Sequence, residues 1–82
     1  MSEAGHDLHA LFPDHGPALH ALKLGNERFR MLASDHHDLE AQIRRAEAGL
    51  DAVSDERLEE LKKKRLLLLD EVSSLIADEE TL

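Results

Sequence analysis

Cysteine is absent from the 82 residues, which excludes a disulfide framework, a thiolate metal site and a thiol nucleophile. Tryptophan and tyrosine are missing too, so Phe12 and Phe29 are the largest apolar side chains on hand and any core is thin. Val53, Val72, Ile43, Ile76 and Thr81 are the whole supply of β-branched residues, which excludes a sheet of any size. No apolar run nears the roughly 18 residues of a membrane span. Residues Met1 to Asp7 lack the basic start and apolar stretch of a signal peptide. The expectation is a cytoplasmic protein without a membrane partner, held together by packing alone.

What is there in abundance is charge. Charged residues make up 34% of the chain and the formal net charge is -8, a balance that repels a phosphate backbone at long range. Leu, Ala, Glu, Asp, Lys and Arg dominate, as they do in long helices. Residues 1–16 hold Gly, His, Asp and Pro, with Pro13 and Gly16-Pro17 as punctuation, and read as a mobile segment. A short helix is expected over about 17–24, with Pro17 in its first turn, Ala18, Leu19 and Leu22 as its apolar residues and Gly25 as a left-handed terminator. Asn26 suits the cap of the next helix.

From Phe29 the apolar positions recur as Phe29, Leu32, His36, Leu39, Ile43, Ala46 and Leu50, a heptad seam with one histidine in it. Gly49 closes that helix, expected over about 27–49, and Ser54 caps another over about 55–78, leaving 80–82 as a frayed tail. The second seam runs Leu58, Leu61, Arg65, Leu68, Val72, Leu75, Glu79 and Leu82. Two matched seams joined by so short a loop predict an all-α fold: an antiparallel two-helix coiled-coil hairpin with a short N-terminal helix on its edge. Zipping outward from the loop sets Ala46 by Leu61, Ile43 by Arg65, Leu39 by Leu68, His36 by Val72, Leu32 by Leu75 and Phe29 by Glu79. Flanking pairs are Glu47 with Lys62, Gln42 with Lys64 and Arg28 with Asp78.

Four consecutive leucines, Leu66 to Leu69, fan over roughly 300° of helix surface and cannot share one partner. Leu68 belongs to the seam. Leu69 and Ile76 lie at its edge, where the N-terminal helix is able to cover them, and Leu66 and Leu67 point away. A hairpin this thin is marginal alone. Leu66, Leu67, Leu69 and Ile76 are therefore the candidate contact residues for self-association, or for an unidentified protein partner.

Phe12-Pro13-Asp14, Leu22-Lys23, Phe29, Leu32, His36, Leu39 and Ile43, then Lys62-Lys63, Arg65-Leu66, Leu68 and Asp70-Glu71-Val72 resemble the YdcH family of small bacterial proteins. There the order runs FPE, LK, F, L, H, L, I, then a Lys- and Leu-rich segment ending in KDEI. The resemblance spans roughly residues 11 to 77 and departs at Leu69, where the family has Lys. It implies a coiled-coil-like hairpin of uncharacterised function, with no activity to carry over.

Among residues able to carry chemistry, His36 reads first as a polar seam residue that fixes register. The register also sets Asp35 opposite Glu71, two carboxylates flanking His36, which predicts a raised imidazole pKa and a tighter hairpin at low pH. His6, His9, His15, His20 and His37 read as solvated, with no second ligand pair to complete a metal site. No metal or cofactor is expected. Lys62, Lys63, Lys64 and Arg65 form the one basic run; ion pairing explains it better than polyanion binding, the alternative function. No nucleophile-base motif or Gly-rich phosphate loop occurs, so catalysis is not expected.

Overall fold

Two side-chain caps and one left-handed glycine divide the chain. In the computed structural model the backbone is described for residues 4–81 and side chains from Asp7 to Thr81. Helix α1 spans Ala4–Leu11, a 3-10 turn Pro13–His15, α2 Gly16–Gly25, α3 Glu27–Glu47 and α4 Asp55–Glu80. The Asn26 side chain accepts from the Phe29 N–H at 2.8 Å, and the Ser54 hydroxyl accepts from the Arg57 N–H at 3.0 Å. Each satisfies a donor that the first helical turn leaves free. Asp55 and Glu56 add negative charge at the positive end of α4.

The hairpin is as expected: α3 and α4 run antiparallel and pack along their length, and α1 and α2 lie against them. Its seams follow the predicted ones from Phe29 to Ala46 and from Leu58 to Glu79. Phe29, Leu32, His36 and Ile43 are buried from α3, and Leu61, Leu68 and Val72 from α4. Near the loop the expected pairing appears as Lys62 Nζ against Glu47 Oε2 at 3.1 Å. The far end differs. Arg28 forms a two-pronged bond with Glu71, 2.6 and 2.8 Å, rather than meeting Asp78. Glu71 is two turns, about 10 Å, nearer the loop. The last turns of α4 are occupied instead by the 3-10 turn and α2: His15 Nδ1 lies 2.7 Å from Glu80, and Asp14, Pro17, Ala18 and Ala21 line a groove with Glu79 and Glu80.

The N-terminal segment is the main correction. Residues 1–16, expected as mobile, supply α1, whose Leu8 is fully buried, together with the 3-10 turn. Leu8 joins Ala18, Leu19, Leu22, Phe29, Leu32, Ala33, Leu68, Val72 and Ile76 in one core cluster. Reading Pro13 and Gly16-Pro17 as punctuation hid the helix before them, whose buried Leu8 accepts at its carbonyl from the Phe12 N–H at 2.9 Å. Boundaries shift slightly elsewhere. Gly25 stays helical and Asn26, at φ -129° and ψ 108°, makes the break. Helix α3 stops at Glu47, two residues early, and Gly49 at φ +76° turns the chain, leaving Leu50 exposed. Helix α4 runs on to Glu80, where the Thr81 N–H donates to the Ala77 and Asp78 carbonyls. Leu82, the last expected seam residue, lies outside the described residues.

Candidate functional site

Three faces of α4 have different fates. Its inner face carries Leu61, Leu68 and Val72 into the hairpin seam. The adjoining edge carries Leu69 and Ile76, which the N-terminal helix was expected to be able to cover, and here their candidacy as contact residues fails. Ile76 is buried in the core cluster and Leu69 packs partly buried against it, because α2 supplies the apolar cover. Neither is free for a partner. The outer face keeps Leu66 and Leu67, which are 61% and 68% exposed in mid-helix.

Around those leucines the basic run is partly consumed. Lys62 pairs with Glu47, and Arg65 Nη1 donates to Glu40 Oε1 at 2.7 Å, the reach expected of a long cation in an apolar seam. Lys64 lines an open groove of about 390 Å³ with Asp35, Asp38, Leu39, Gln42 and Leu68. Among the described residues Lys63 enters no salt bridge, including the one to Glu59 that helical spacing allows.

His36 is where sequence reasoning placed it in the seam but not among the neighbours expected. Glu71 is held by Arg28, whose hydrogen bonds keep that carboxyl below its ordinary pKa, and Asp35 is exposed on the groove with Lys64. The proposed sandwich of His36 between Asp35 and Glu71 therefore does not form. Helix α1 lies over the imidazole instead: Asp7, Ala10 and Leu11 line a cleft of about 220 Å³ with His36, Glu40 and Arg44. The ring is 1% exposed and neither nitrogen has a hydrogen-bond partner. Glu40 Oε1, at 4.0 Å from Nε2, is too far for one. Burial pushes the pKa down, against the weaker pull of the Glu40 and Asp7 carboxylates and with the help of Arg65 and His37. This reverses the expected raised value, since desolvation outweighs charges that are not in contact.

The other histidines do not converge. His15 pairs with Glu80, His37 Nδ1 lies 3.0 Å from Asp7, and His9 and His20 are exposed, while the His6 side chain lies outside those described. Among the described residues no group of three or more His, Asp or Glu side chains is arranged to hold a metal ion. No described helix is long and apolar enough to cross a membrane. The Asp7–His37 and Arg28–Glu71 bonds had no sequence signal, as each joins residues far apart in the chain.

Comparison with curated proteins and with solved structures returns no match. A family model matches residues 29–76, from the first buried residue of α3 to the last of α4, and so covers the paired seams, His36 and the leucine run. With more than half of its length matched, the chain belongs to the family described as "Protein of unknown function (DUF465)", the YdcH-like small bacterial proteins.

Proposed function

We propose that the protein is a non-catalytic helical interaction module of the cytoplasm, which presents the outer face of α4 to a helix of another polypeptide. The observation that carries this reading is the exposure of Leu66 and Leu67 side by side, at 61% and 68%, in the middle of the longest helix. Helices α3 and α2 pack on the other faces of α4, and among the described residues Leu66 and Leu67 stay outside both contacts. Burying a leucine is worth about 1.5–3 kcal/mol, enough for the pair to anchor a contact whose rim is charged. Polyanion binding through Lys62, Lys63, Lys64 and Arg65 is the weaker reading, because Glu47 and Glu40 already occupy two of the four cations.

A photo-crosslinking amino acid placed at position 67 in cells tests the proposal, with position 24 as control because Leu24 is equally exposed on a different helix. The expected result is a discrete adduct from position 67, lost when Leu66→Glu is added, and none from position 24. Absence of an adduct at 67, or one that survives Leu66→Glu, overturns the reading.

A further inference from the structure

We propose that the outer face of α4 is built to pair with a second copy of itself, antiparallel, about a twofold axis passing between Leu66 and Leu67. This inference rests on the interaction-face reading above and names the occupant. Around α4, at 100° per residue, Lys63 and Asp70 lie within about 10° of the centre line of that face. Leu66 and Leu67 sit about 50° to either side, and Glu56, Glu59, Ser74, Ala77 and Thr81 continue the strip within about 30°. All nine are exposed.

The charge order along the strip decides the orientation. With the axis between Leu66 and Leu67, Lys63 of each copy comes level with Asp70 of the other, Glu59 with Ser74 and Glu56 with Ala77. Each leucine packs beside its own counterpart, so four leucines flank two Lys63–Asp70 pairs. No like charges oppose along the centre line. A parallel pair would set Glu56, Glu59, Lys63 and Asp70 each against itself, four repulsions with no attraction between level residues. Lys63 and Asp70 are also free to make the new contact, since neither enters a salt bridge among the described residues. The small Ser74 and Ala77 leave room for the long Glu59 and Glu56 side chains opposite them.

Because the chain has no cysteine, single spin labels can be placed on full-length protein at Ser73→Cys, exposed at the rim of the strip, or Thr81→Cys. The twofold axis sets the two labels of a dimer about 20 Å apart along the helix at position 73 and about 44 Å at position 81, from a rise of 1.5 Å per residue. Sedimentation should show a dimer that Leu67→Glu converts to a helical monomer. Lys63→Asp should weaken association about tenfold or more, and the exchange Lys63→Asp with Asp70→Lys should restore it. Short distances at both labels, or no recovery on charge exchange, overturn the antiparallel pairing and leave the interaction face standing. A chain that stays monomeric at millimolar concentration overturns self-pairing and leaves only a foreign partner. A dimer indifferent to Leu67→Glu overturns this inference and the interaction-face reading together.

Discussion

Replacing His36 by leucine should make the protein more stable, and more so in mild acid. The imidazole is 1% exposed with both nitrogens unpartnered, and a buried polar group without a hydrogen bond costs about 1–3 kcal/mol. His36→Leu removes that cost at nearly constant volume. At pH 8 the expected gain is about 1–3 kcal/mol, and each kcal/mol raises the melting temperature of a domain this size by roughly 4–8 °C. The pH dependence has a definite sign. The folded pKa lies below the ordinary 6.5 because of desolvation, so under that pH the unfolded chain binds a proton that the folded chain refuses. Wild-type stability is fully present above 6.5 and falls as the solution is acidified, with a slope approaching about 1.4 kcal/mol per pH unit. The groups facing the ring, Asp7, His37, Glu40 and Arg65, remain in the variant, as do His15 and its partner Glu80. The difference between the two proteins therefore isolates the ring. Urea melts of both proteins at one concentration, from pH 8 to pH 5.5, read the gap. A gap that narrows with acid, or a wild type that gains stability over the variant at pH 5.5, would falsify the account of His36 as a buried neutral imidazole.

Leu8→Ala should cost about 2–5 kcal/mol, because Leu8 is fully buried, whereas Leu11→Ala, at a position 51% exposed, should stay within about 0.5 kcal/mol; equal effects in thermal melts would mean that α1 is not part of the core. Gly49→Ala should destabilise by about 1–2 kcal/mol through φ +76° alone, since a Cβ there meets open space. Gly25→Ala, also unobstructed but on ordinary helical backbone, should stabilise by about 0.4–1 kcal/mol, and matching signs in chemical denaturation would sink the distinction. Asn26→Ala should lose about 0.5–2 kcal/mol with the cap to Phe29, and Asn26→Gly only a few tenths; a melt that ranks them the other way contradicts the capping role.

The hairpin was legible because heptad spacing, the Asn26 and Ser54 caps and the short loop all point to one topology, and each leaves a trace in local sequence. Leu66 and Leu67 could be assigned outward for the same reason, as periodicity fixes which way a helical residue faces. What failed depended on elements whose signals conflict. Helix α1 is eight residues long and carries glycine and histidine, so local propensity argues against it while burial of Leu8 argues for it. Once α1 was missed and the cover of α2 over the hairpin edge was left open, the consequences were lost too. Ile76 became core rather than contact, the last turns of α4 went to the 3-10 turn instead of Arg28, and His36 acquired a lid in place of two carboxylates. A seam read as two-helix geometry cannot report side chains brought in from a third helix.

The core cluster draws on α1, α2, α3 and α4, whereas towards the loop Ile43 and Leu61 are, among the described residues, the only buried apolar ones and belong to a two-helix stretch. Structural opening should therefore be graded along the molecule. Backbone amides on either side of Gly49 will exchange with deuterium far sooner than those around Val72, and the exposed connection from Leu50 to Val53 is where a protease would cut first. The same tip offers a place to splice in a tag or a sensor without disturbing the far end, where the chain keeps its cohesion.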